Sequence, residues 1–349
     1  MSTKKRYLVL EDGSVLEGLA FGAESANQSI GEVVFSTNMA GFTQSATDPA
    51  YGGQIVVQTF PLVGNVGVNP TDIEASPKLK GYIVKELCQT PSHFLSQGTF
   101  GAFLMQQNIP GLCGIDTRAL AKAIRNAGVL RGAITDDPAG VDMNAIKSYQ
   151  IDGAVEYATV TEPASFPAEN AKFNVTVWDF GVKQSDVRAL GARGCSVTVM
   201  PAGSTAEQIL ATKPAGIFLS TGPGNPESYP AIAAEIKKVL GAGVAIFGYG
   251  LGHQLLAMAC GGAIVRLPYG HRGGYSVYDV AGKRTETMMQ NHGYAVAMDK
   301  LPPSAVASFT SVNDGSCEGL DYSSFNGFSI QFEPTKTEFD RYVTMMGGK

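Results

Sequence analysis

Residues Val244–Gly262 read VAIFGYGLGHQLLAMACGG: an apolar run, a cluster of glycines, then a run with helical character. The centre, Gly248-Tyr249-Gly250-Leu251-Gly252, has the spacing G-x-N-x-G. In that pattern a strand turns sharply into a helix, and small neighbours tolerate the strained turn that holds a nucleophile at N. Here N is Gly250, which has no side chain to react. The stretch predicts a strand, a tight turn and a helix, with the position for chemistry left empty.

Working outward, the surrounding sequence alternates strand and helix patterns. FNVTVWDFG is a continuous apolar strand, SDVRALGARG a helix, CSVTVMPAG a strand, STAEQILATK a capped helix, AGIFLSTGPGNP a strand and ESYPAIAAEIKKVLGAG a helix. Such alternation predicts a parallel sheet with crossover helices, whose ligands sit at the carboxyl ends of the strands. Both TGPGNP and GYGLG fall there. The first half differs. RYLVLEDGSVLEGLAFG places two strand-like runs around Asp12-Gly13, a hairpin signal, and DTRALAKAIRNAG is its one clear helix, capped by Asp116 or Thr117 and closed by Gly128. Between the halves, QIDGAVEYATVTEPASFPAENAK lacks periodicity and reads as a linker. The expected organisation is residues 1–150 as an α+β domain, 151–172 as linker and 173–349 as an α/β domain.

Length agrees with two domains, since 349 residues exceed the usual single core. The 42 glycines exceed an average of about 7% and forecast many tight turns. A net charge of −5 gives no basic footprint, so neither nucleic acid nor an acidic membrane surface is an expected partner. No apolar run approaches the roughly 20 residues that span a bilayer, and the amino terminus turns to charge too soon for a signal peptide. A cytoplasmic protein is expected. The five cysteines (Cys88, Cys113, Cys195, Cys260, Cys317) are scattered and read as buried thiols. The four histidines (His93, His253, His271, His292) form no ligand-spaced pair, so no metal or organic cofactor is expected.

Several separated motifs together resemble the small, glutamine-amidotransferase subunit of carbamoyl-phosphate synthase. DFGVK, GIFLSTGPGNP, FGYGLGHQLLA, GHRGG, QNHGYAV, DGSCEG and SIQFEP match in order the class I amidotransferase domain. LVLEDGSVLEGLAFG, GEVVFSTN, TDPAYGGQIVVQTFP, GNVGVN and GIDTRALAKAIRNAG match the domain peculiar to that subunit. The resemblance implies an α/β chain in which a mixed α+β domain precedes an amidotransferase domain with a mostly parallel central sheet flanked by helices. It also implies a glutaminase with a Cys, His and Glu triad that supplies ammonia to a large subunit.

On that resemblance the nucleophile position is Gly250, the histidine position Glu333 and the acid position Thr335. All three are replaced, so the thioester route has no nucleophile and no imidazole. The nearest thiol, Cys260, lies ten residues on, about 15 Å along a helix. The implied oxyanion hole uses main-chain N–H groups of Leu251 and of the loop Gly222 to Gly224. Gln254, Asn291, Gly293 and Tyr294 match positions that contact glutamine, and Asn38 stands where the family has a serine. His271 and His292 are expected to secure loops. GHRGGYSV and TKTEFDRY also depart from the commoner GHHGGNHPV and SPGPHD-like segments. The expectation is a non-catalytic partner of a large subunit. The alternatives are a stand-alone protein binding glutamine or a small amide, and a working glutaminase subunit.

Overall fold

Asp12-Gly13 makes the expected hairpin: Gly13 has φ +88°, and the Asp12 side chain accepts from Ser14 N–H at 2.8 Å. In the computed structural model, which describes residues 4–24 and 28–347, the chain divides into two compact units, Met1–Asp152 and Gly153–Lys349. The hairpin joins β1 (Lys5–Leu10) to β2 (Val15–Gly22) in the first unit. There follow β3 (Ser29–Ser36), α1 (Phe42–Thr47), β4 (Gln54–Gln58), β5 (Leu62–Val63), β6 (Gly81–Val84), β7 (Glu86–Leu87), α2 (Phe100–Gln106), β8 (Pro110–Cys113), α3 (Thr117–Ala127), β9 (Leu130–Thr135) and α4 (Met143–Ser148). Seven strands close into a barrel in the order β1-β2-β8-β6-β4-β3-β9, with β9 returning to β1. Pairings β3–β4, β4–β6 and β6–β8 are parallel and the others antiparallel. Asp116 caps α3 by accepting from the amides of Arg118 and Ala119.

The second unit opens where a linker was expected. Residues 153–172 carry α5 (Ala154–Ala158) and β10 (Ala164–Phe166). β10 is too short to show periodicity and is fixed only by antiparallel pairing with a distant strand. The unit continues with β11 (Phe173–Asp179), α6 (Gln184–Gly191), β12 (Cys195–Pro201), α7 (Ala206–Ala211), β13 (Gly216–Leu219), α8 (Pro230–Val239), β14 (Ala245–Tyr249), α9 (Leu251–Ala259), β15 (Ile264–Asp279), β16 (Arg284–Val296), β17 (Ala305–Ser311), β18 (Cys317–Tyr322), β19 (Gly327–Ile330) and α10 (Lys336–Gly347).

Its ten-stranded sheet runs β10-β12-β11-β13-β14-β19-β18-β16-β15-β17. The run β12-β11-β13-β14-β19 is parallel. The other pairings are antiparallel, so the sheet is mixed, which corrects the expected mostly parallel sheet. The long ribbon β15–β16 explains the difference, because its alternation in GHRGGYSV and TMMQNHGYAV is local and antiparallel. Helices cover the parallel part on both faces, as the alternation of side chains requires. Ile217, Leu219 and Ile246 pack with α7, α8 and α9, whereas the adjacent Phe218 and Phe247 pack with α6 and α10.

Candidate functional site

The carboxyl end of β14 runs into α9 through one residue, Gly250, at φ 59° and ψ −119°. A positive φ at this turn is costly for any residue with a Cβ. Its amide donates to Ile330 O on the neighbouring β19 at 3.0 Å, which fixes the turn to the sheet. The flanking glycines are required by close approach. A Cβ at Gly252 would stand 2.2 Å from Leu219 O, and one at Gly248 would stand 2.8 Å from Gly252 O. The G-x-N-x-G spacing therefore has a steric cause on either side of Gly250.

The space above Gly250 is filled. A Cβ built there would stand 2.4 Å from Thr221 Oγ1 and 2.9 Å from Thr221 Cβ, and Thr221 is buried. Thr221 was not among the residues singled out from sequence, since a steric overlap leaves no pattern. The loop after β13 is tightly held: Ser220 Oγ accepts from Phe180 N–H at 2.8 Å and donates to Thr221 O. Gly222 allows this loop to pass Phe180 O, which a Cβ would meet at 2.3 Å, and Gly224 has φ +93°.

Glu333 and Thr335 lie on the segment between β19 and α10. Lys183 Nζ donates to Glu333 Oε1 at 2.5 Å, an ion pair in which Lys183 is buried and Glu333 half-exposed. Lys183 is held in turn by the loop after β11. There the buried Asp179 accepts from the amides of Gly181 and Val182, and burial raises its pKa despite these bonds. Thr335 serves the start of α10. Its N–H and Oγ1 both donate to Glu338 Oε2, and its Oγ1 accepts from Thr337 N–H. The sequence Thr335-Lys-Thr-Glu338 is a capping-box signal, available in the sequence but not used above.

Leu251 is the first residue of α9, so its N–H has no intrahelical acceptor. Gln254, one turn on, donates from Nε2 to Tyr294 O at 2.7 Å and to Gln331 Oε1 at 2.9 Å, linking α9 to β16. Asn291, Gly293 and Tyr294 lie on β16, where Asn291 pairs with Arg272 of β15. Asn38 lies in the first unit, between β3 and α1, with Oδ1 buried and without a partner. Its amide donates to Ser36 Oγ.

Cys260 caps the far end of α9, and burial pushes its thiol up to about 11. Thiols at that value carry almost no thiolate at neutral pH. His253 is fully buried against Ser329 Oγ at 2.7 Å, and burial lowers its pKa to about 3, which keeps it neutral. Two of the other histidines come together in the fold. His271 and His292, unspaced in sequence, are set opposite one another by the β15–β16 register, and Glu318 of β18 joins them.

Two family models match the chain: "Carbamoyl-phosphate synthase small chain, CPSase domain" over residues 8–134, and "Glutamine amidotransferase class-I" over residues 176–343. A carbamoyl phosphate synthase small chain from Staphylococcus haemolyticus is 40% identical over 98% of this chain and 96% of that protein. Another from Streptococcus pneumoniae is 41% identical over 98% of each. A solved glutamine amidotransferase from Thermotoga maritima is 22% identical, covering 47% of this chain and 76% of that one, with a TM-score of 0.38. No helix among the described residues is long and apolar enough to cross a membrane. With both of its parts matched in order and relatives aligned almost end to end, the chain belongs to the carbamoyl-phosphate synthase small chain family.

Proposed function

We propose that this protein is a small-subunit partner of a carbamoyl-phosphate synthase large subunit and does not hydrolyse glutamine. One observation carries the reading: the backbone at φ 59° and ψ −119° has the form of a nucleophile's turn, yet it holds glycine beneath the Thr221 side chain. Amide hydrolysis through a thioester needs a thiolate and a base to generate it. Glu333, paired with Lys183, and Thr335, engaged in capping α10, supply neither a thiolate nor an imidazole to generate one. The large subunit would then take ammonia from solution.

A second reading is supported by what persists around the turn. The N–H of Leu251, the loop from Gly222 to Gly224, and Gln254, Asn291, Gly293 and Tyr294 would form a pocket for glutamine or a small amide. Backbone donors survive replacement of side chains, so binding can outlast chemistry. A working glutaminase subunit is the reading that the family alone would suggest, and it lacks a nucleophile.

The test is to co-express the chain with a carbamoyl-phosphate synthase large subunit and assay carbamoyl phosphate formation from ammonium or from glutamine. A stoichiometric complex active with ammonium and inactive with glutamine is expected. Absence of a complex at micromolar concentration, or synthesis from glutamine, would overturn the proposal.

A further inference from the structure

We propose that His271, His292 and Glu318 bind one divalent transition-metal ion of the zinc type. The three come from adjacent strands, β15, β16 and β18, and all are buried, Glu318 completely. Their donor atoms lie within 4.8 Å of one another. His271 Nδ1 is 3.2 Å from Glu318 Oε1, and His292 Nε2 is 4.0 Å from Glu318 Oε2. Ligands at the corners of a zinc tetrahedron stand about 3.3 Å apart, given metal–ligand bonds of about 2.0–2.1 Å. The His271–Glu318 edge is already at that length, the His292–Glu318 edge is 4.0 Å, and the His271–His292 edge is within 4.8 Å, so the histidines close inward by up to about 1.5 Å to hold the ion.

The hydrogen bonds around the cluster orient it. His292 Nδ1 lies 2.8 Å from Tyr294 O, and a carbonyl can only accept, so Nδ1 carries the proton and Nε2 offers its lone pair inward. His271 Nε2 lies 2.9 Å from Asp314 Oδ2, and Asp314 is itself held by Ser316 N–H and Oγ. A histidine that donates one N–H to a carboxylate and presents its other nitrogen is the usual outer arrangement at metal sites. The result is a convergence of possible ligand atoms, in which His271 Nδ1 and Glu318 Oε1 are hydrogen-bonded to one another. His271 Nδ1, His292 Nε2 and both Glu318 oxygens face one another, and Gln290 Oε1 is 2.6 Å from His292 Nε2. Glu318 Oε2 is buried without a hydrogen-bond partner. A cation at the centre would replace the His271–Glu318 hydrogen bond and give Glu318 Oε2 a partner.

Two imidazoles and a carboxylate suit zinc, cobalt or nickel rather than magnesium or calcium, which take mostly oxygen ligands. The burial of all three residues points to a structural ion that ties three strands together, with a water as fourth ligand. It also reaches the proposed pocket. Tyr294 O accepts from both His292 and Gln254, so an ion that fixes His292 also fixes the carbonyl that orients the Gln254 amide.

The test uses the full chain after exhaustive chelator dialysis, titrated with zinc chloride by calorimetry and, separately, with cobalt chloride by absorption. One equivalent of zinc bound at micromolar concentration or tighter is expected, together with the visible ligand-field bands of tetrahedral cobalt. Glu318→Gln and His292→Ala should each weaken binding by at least about 100-fold, and Asp314→Asn by about 10- to 100-fold. His93→Ala, at an exposed histidine, should change nothing. The cobalt spectrum of the unaltered chain decides the matter even where a variant fails to fold. Absence of saturable zinc binding, absence of the bands, or equal affinity in Glu318→Gln and His292→Ala would overturn the proposal.

Discussion

Replacing Gly250 with alanine should destabilise the second unit through two separable costs. A residue with a Cβ at φ 59° and ψ −119° costs about 1–3 kcal/mol in backbone strain. The overlap with Thr221, at 2.4 Å to Oγ1 and 2.9 Å to Cβ, adds about 1–3 kcal/mol, as inserted atoms do in a packed interior. The total is roughly 2–6 kcal/mol. Only the second cost depends on Thr221. In a Thr221→Gly background, where the nearest remaining atom of that residue is Cα at 3.3 Å, Gly250→Ala should be milder by about 1–3 kcal/mol. Urea unfolding followed by the fluorescence of Trp178 reads this directly, because the chain's one tryptophan is fully buried in the second unit. If Gly250→Ala costs the same in both backgrounds, within about 0.3 kcal/mol, Thr221 does not fill the space above the turn. The same overlap means that Gly250→Cys, Glu333→His and Thr335→Glu together should not restore glutaminase activity unless Thr221 is also made smaller.

Three further outcomes are expected. Between pH 6.5 and 3 the folded chain leaves His253 unprotonated while the unfolded chain protonates it, so its contribution to stability falls as pH falls across that window. The slope is up to about 1.4 kcal/mol per pH unit, and His253→Gln should lose that part of the pH dependence in urea titrations. Thr335→Ala should cost about 1 kcal/mol by removing the cap of α10, measured as a shift in urea midpoint at constant slope. Glu333→Gln should cost about 1 kcal/mol or less, because Glu333 is half-exposed, and Lys183→Met combined with it should recover part of that loss.

Much of the second unit was legible because its signals are local. The run from Val244 to Gly262 combines an apolar strand, three close glycines and a helix, and each glycine has a contact or dihedral that demands it. The caps of α3 and the hairpin at Asp12-Gly13 are likewise properties of neighbouring residues. Closure of the barrel was not legible. It depends on β9 pairing with both β1 and β3, strands more than ninety residues earlier in sequence. The three-residue β10 is a strand only through its partner β12. At the site, Thr221 matters by volume, and His271 and His292 meet by cross-strand register after 21 residues, so neither had a sequence spacing to reveal it.

The most direct measurement is ammonia released from glutamine by the purified chain, alone and in complex with a large subunit. With glycine at the turn, release should not exceed the rate without protein in either state. Saturable, glutamine-dependent release would contradict the proposed loss of hydrolysis and require a nucleophile or activated water beside Gly250.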